Sequence, residues 1–111
     1  MAMHIDVICD LPGQGGGAVR GDTVSIQYQL FLNRGELIQS QSVTFTIGQR
    51  RVIAGLEYGV EGMRVGGRRR FRVGPHLAYG EDGVEGLIPA NAVLIFDVEL
   101  LDILPAKTAA S

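Results

Sequence analysis

Tyr79 opens a loop with glycine at every third position, Gly80, Gly83 and Gly86. Glycine accepts positive φ without penalty, so such a loop can fold into a compact flap that carries the phenol as a hydrogen-bond donor. The loop closes on the apolar corner Leu87-Ile88-Pro89 and enters a strand that contains Phe96. Tyr79, the Leu87-Ile88 corner and Phe96 are expected around the rim of one concave surface. That surface suits an apolar ligand with one polar handle. An aromatic in a glycine-rich loop is hard to explain as core, which singles out Tyr79. Tyr28, Phe96 and Leu56 also have a plainer reading, as inward residues that fill a core.

Other chemistries find no residues to carry them. His4 and His76 are the only histidines, far apart and without metal-ligand spacing, so no metal is expected. His76 follows Pro75 in a loop and reads as an exposed bystander. Gly13 to Gly17 lacks the Gly-Lys-Ser/Thr ending of a phosphate loop, and Gly80/Gly83/Gly86 is not a dinucleotide fingerprint, so no cofactor is expected. Cys9 is the single cysteine, which rules out an intrachain disulfide and fits a reducing compartment, with the cytoplasm the expected location. A net charge of −2 gives no whole-molecule reason to expect nucleic acid or an anionic membrane as partner. No apolar run approaches the roughly 20 residues of a bilayer span, and Met1-Ala2-Met3 is too short for a signal peptide. Arg50, Arg51, Arg64, Arg68, Arg69, Arg70 and Arg72 crowd one stretch of chain. They read either as a solvated outer strand face that blunts edge pairing or as a docking surface for an acidic partner.

The elements that must position these residues follow from periodicity. The 111 residues make one small domain. His4 to Cys9 is a short strand-like run, followed by a loop through Pro12 and Gly13 to Gly17. Val24, Ile26, Tyr28, Leu30 and Leu32 alternate with polar residues, a strand with one buried face. Asn33-Arg34-Gly35 is a turn, after which Glu36 onward returns antiparallel. Val43 to Ile47 reads as another strand, ended by Gly48. Leu56, Val60 and Met63 mark one face of a short helix that Gly59 and Gly62 weaken. Gly66-Gly67 turns into the strand Arg68 to Val73, with Phe71 and Val73 on one side and Arg70 and Arg72 on the other. Leu94, Phe96, Val98 and Leu100 alternate along the last strand. The expected fold is α+β: an antiparallel sheet curled around one short helix, spanning 4–104, with 105–111 as a flexible C-terminal tail.

With the elements in order, Gly21 to Tyr28, Val52 to Gly66, Ala78-Tyr79-Gly80 and Leu87 to Leu100 carry a resemblance. Over nearly the whole chain the sequence resembles the FKBP family, peptidyl-prolyl cis-trans isomerases that bind the macrolides rapamycin and tacrolimus. The resemblance implies a half-barrel sheet wrapped around one helix, with a proline ring held in a pocket between them. It assigns the pocket to Tyr28, to Val52 and Ile53, to Tyr79, to Ile88 beside Leu87, and to Phe96. It implies that the Ile53 N–H holds one ligand carbonyl and that the Tyr79 hydroxyl donates to a second. Four positions depart from the family pattern. Leu56 stands for the helix Trp that floors the pocket, Ile38-Gln39 for a Phe-Asp pair, Val43 for a wall Phe, and Val84 for a flap His. Smaller aliphatics imply a wider pocket with a weaker grip, and Gln39 replaces a carboxylate by a neutral partner.

The resemblance therefore implies rotation about X-Pro bonds in peptides or client proteins, at reduced activity, with weak macrolide binding. Such chemistry needs no acid, base or nucleophile, because an apolar pocket favours the less polar twisted amide. A second class stays open: a weakly active or inactive domain that uses the same groove as a peptide- or protein-binding module.

Overall fold

The computed structural model describes residues 5–106, so the expected strand start at His4 and tail residues 107–111 lie outside it. The alternation in Thr23–Leu32 (β2) becomes structure directly: Val24, Ile26, Tyr28, Leu30 and Leu32 are buried and the residues between them are not. Gly35 takes φ 108° to turn the chain, a conformation open to glycine at little cost. Leu37–Thr46 (β3) then returns antiparallel to β2. Val43 to Ile47, expected as a separate strand, is instead the last four residues of β3 plus one. The strand runs unbroken through Gln39 to Ser42 because β3 is a sheet edge, where polar side chains on both faces keep their water. On the outer face hydroxyls and amides pair across the two strands, Thr23 with Thr46 at 2.7 Å and Ser42 with Gln27 at 2.6 Å.

Ile5–Leu11 (β1), Arg68–Val73 (β4) and Leu94–Leu104 (β5) complete one antiparallel sheet in the order β1-β4-β5-β2-β3. It curls around the helix Ala54–Val60 (α1), as expected. A single-turn helix, Pro75–Leu77, leads into the flap, and His76 on it is exposed. The core lies between α1 and the concave face and holds Ile26, Leu30, Phe71, Phe96, Val98 and Leu100. Each such side chain contributes about 1.5–3 kcal/mol on burial. No helix among the described residues is long and apolar enough to cross a membrane.

Two glycines bring α1 close to the sheet. A Cβ at Gly55 would overlap the Val73 side chain, and one at Gly59 would overlap the Phe71 ring. Gly59 costs helix propensity and returns it as close packing. Gly62 lies past the helix end at φ 89°. Met63, expected on the helix, is reached through that left-handed turn and is still buried.

The arginine run divides by side. Arg68, Arg70 and Arg72 lie on the outer face, where Arg68 and Arg70 meet Asp97 and Arg72 meets Asp6. Arg69 faces α1 and is only 14% exposed. It grips Asp10 on β1 through Nε and Nη2 at 3.1 and 3.3 Å. Its Nη1 donates to the carbonyls of Gly59 and Glu61 at 2.9 and 3.0 Å, satisfying acceptors at the helix end. The expected role of these charges in blunting a sheet edge does not hold, because β4 is an inner strand and the edges are β1 and β3.

Candidate active site

The concave face supplies an aromatic base. Tyr28 on β2 lies 5.6 Å from Phe96 on β5, with the rings tilted by 59°. Behind Phe96 stacks Phe71 on β4, at 5.7 Å and 21°. Tyr28 and Phe96 come together because their strands are neighbours and both sit at inward positions. Phe96 is 1% exposed, so it forms the bottom of this region and not its rim. Leu56 from α1 and Ile88 from the flap join the same buried cluster. Ile38, Val43, Val52 and Ile53 pack against it half-buried. Helix, sheet and flap therefore meet at one apolar floor. Phe71 reaches that floor from β4 and was missed as a site neighbour. Its signal was the pairing of an inward Phe with small Gly59 on the helix.

Polar groups are few and placed at the margins. The Tyr28 hydroxyl donates to Gln39 Oε1 at 3.4 Å and accepts from Gln41 Nε2 at 2.6 Å. Gln41 did not figure in the sequence reading. The available signal was its register, since it stands directly opposite Tyr28 on the neighbouring strand. Tyr79 is 37% exposed. Burial pushes its phenol above the ordinary value of 10.0, and the nearby Tyr28 phenol adds to the rise. The hydroxyl is therefore a neutral donor at neutral pH. Among the described residues, neither the Tyr79 O–H nor the Ile53 N–H has a protein acceptor. Ile53 is extended, at φ −60° and ψ 150°, and its carbonyl accepts from Leu56 and Glu57.

The flap is knit by its own backbone. Val84 and Ile88 exchange N–H···O bonds of 2.8 Å, Gly83 N–H donates to Tyr79 O at 3.0 Å, and Asn91 N–H to Gly80 O at 2.8 Å. Gly80, Gly83 and Gly86 all take positive φ. Side chains at the corner diverge in exposure: Ile88 is 5% exposed and Leu87 45%. Both border a groove of about 580 Å³ between the flap and the β2–β3 turn, with Leu32, Arg34, Glu36 and Ile38 on the other wall. Leu87 is therefore a residue of this outer groove and not of the aromatic base.

Comparison with known proteins bears on this arrangement. Residues 15–101 match the family model described as FKBP-type peptidyl-prolyl cis-trans isomerase. FK506-binding protein 1A of Neurospora crassa is 41% identical over 97 residues, covering 82% of this chain and 81% of that protein. FK506-binding protein 4 of Emericella nidulans is 46% identical over 95 residues, but the chain spans only 20% of its length. Among solved structures, AtFKBP13 superposes with a TM-score of 0.78 at 34% identity, covering 85% of this chain and 89% of that one. FkpA from Escherichia coli superposes with a TM-score of 0.77 at 34% identity, covering 93% of this chain and 48% of that one. With a family model matched across most of its length, a half-barrel curled over one helix and relatives above 40% identity, the chain belongs to the FKBP-type peptidyl-prolyl cis-trans isomerase family.

Proposed function

We propose that the domain, from residue 4 to 104, catalyses rotation about X-Pro bonds on the apolar floor of Tyr28, Leu56, Ile88 and Phe96. One observation carries the reading. Two donors lack protein partners among the described residues: the Ile53 N–H, on a residue packed against the buried cluster, and the Tyr79 O–H, near enough to the Tyr28 phenol to feel its charge. The barrier to rotation, roughly 18–20 kcal/mol, is the loss of amide resonance. A twisted amide is less polar than a planar one, so a floor that excludes water favours it over the ground state. The donors hold the neighbouring carbonyls and orient the strained conformer. Val52, Ile38, Gln39 and Val43 wall the ring in, and Leu87 meets the flanking chain. Leu56 and Val43 contact a proline ring less than larger aromatics would, which supports a reduced rate and weak binding of rapamycin or tacrolimus. We place this work on client proteins in a reducing compartment such as the cytoplasm, where the exposed Cys9 stays a thiol.

A protease-free assay on a short X-Pro peptide tests the reading. The expected result is exchange faster than the uncatalysed reaction and inhibited by excess rapamycin. The same aliphatic residues favour a second reading, a module that holds proline peptides without accelerating them. Peptide binding with uncatalysed exchange would select that module and overturn the first.

A further inference from the structure

The Tyr28 hydroxyl has one proton and it goes to Gln39, because Gln41 Nε2 already donates to the phenol oxygen at 2.6 Å while Gln39 Oε1 lies at 3.4 Å. The bonds run in one direction, from the Gln41 amide through Tyr28 to the Gln39 carbonyl. Once its oxygen is turned to Tyr28, Gln39 must point its NH₂ elsewhere. That NH₂ has two donors and no protein acceptor among the described residues. Gln39 is half-buried on β3, and the preceding residue, Ile38, lines the groove beside the flap.

We propose that Gln39 is a specificity-determining residue whose amide N–H donates to a side-chain oxygen on the substrate residue preceding proline, and that Gln41 is the positioning residue that keeps that N–H free. The inference rests on the isomerase reading and names the bonds it favours, those in which X carries an oxygen acceptor. Glutamyl-proline is accordingly turned over better, relative to leucyl-proline, than an acceptor-only wall would allow. An amide there offers a donor and no charge to repel a carboxylate. Asp82 and Glu85, on the flap side of the groove, are exposed. At 0.15 M salt their field is screened within about 8 Å.

The test uses glutamyl-proline and leucyl-proline tetrapeptides with the intact chain and Gln39→Glu, which keeps an acceptor for Tyr28 and removes the donor. The expected result is a fall of about tenfold or more in the glutamyl-to-leucyl ratio of kcat/KM, from the lost hydrogen bond and the repulsion of the new carboxylate together. An equal change for both peptides overturns the proposal. In a ¹⁵N-labelled protein, glutamyl-proline peptide should shift the Gln39 side-chain NH₂ signals. Peptide binding that moves Leu56 and Ile88 but leaves Gln39 still also overturns it. Gln41→Leu should broaden the Gln39 NH₂ signals and move the substrate ratio toward that of Gln39→Glu, and an unmoved ratio refutes the positioning role. A chain that accelerates neither peptide overturns the isomerase reading, and a Gln39 shift in that chain shows the same contact in a binding module.

Discussion

The two rims of the apolar floor are built by opposite means. The flap rim is held by backbone bonds and by glycines at positive φ, with Val84 and Ile88 closing on each other. The β3 rim lies on an edge strand, and its polar geometry rests on side chains, with Tyr28 held between Gln39 and Gln41. A backbone-built rim keeps its shape through most side-chain changes but fails at particular glycines. A side-chain-built rim changes its chemistry with each substitution and leaves the fold alone. Specificity should therefore vary on β3 and stability should be lost at the flap and the helix.

The largest effect is expected at Gly83. Its φ of 61° and the Ile88 carbonyl oxygen in the space of a Cβ both oppose alanine. Gly83→Ala should cost roughly 2–4 kcal/mol and open the flap. Urea unfolding would measure it, and a midpoint equal to the parent's would mean that the flap is not held by its backbone. Next is the clamp behind the floor. Arg69→Met keeps the aliphatic stem but loses the bonds to Gly59 O, Glu61 O and Asp10, at a cost of about 2 kcal/mol. A loss below about 0.5 kcal/mol would return Arg69 to the solvated set.

Tyr79→Phe separates chemistry from fold on the flap side. It should lower turnover several-fold, about 1 kcal/mol, with stability little changed, and equal turnover would remove the hydroxyl from the mechanism. The raised phenol pKa sets a pH corollary. The unfolded chain ionises Tyr79 first, so its contribution to stability is complete below pH 10.0 and is lost as pH climbs through the higher folded value. The same Tyr79→Phe substitution should abolish that alkaline part of the stability curve. The smallest effect belongs to the outer face. Arg72 and Asp6 are 42% and 72% exposed, so Arg72→Ala should change stability by less than about 0.5 kcal/mol and leave short-peptide turnover alone. A clear drop in turnover would tie the convex face to the floor.

Legibility in the sequence followed the physics of each element. β2 and β5 were plain because each has one buried face, which forces a two-residue period on Val24 to Leu32 and on Leu94 to Leu100. The flap was plain because positive φ selects glycine. β3 was split in reading because an edge strand has little apolar alternation, and Gln39 to Ser42 look like loop until paired with β2. Gln41 and Phe71 escaped notice as site neighbours since that meaning lies in cross-sheet partners distant in sequence. Arg69 was grouped with Arg70 and Arg72 by type, whereas strand parity puts it on the other side.

The strand order also bears on how this chain is made. β2 pairs with β5, so Thr23 meets Leu104 across most of the described length, and β1 waits for β4. On a ribosome the centre of the sheet is the last strand to emerge. Until then β2 and β3 form a lone hairpin, too little to stand in water. Folding should therefore wait for β5 and be slow, governed by long loop closure, in the millisecond-to-second range of sheets with distant pairings. During that wait the apolar face of β2 is open to aggregation or to a chaperone.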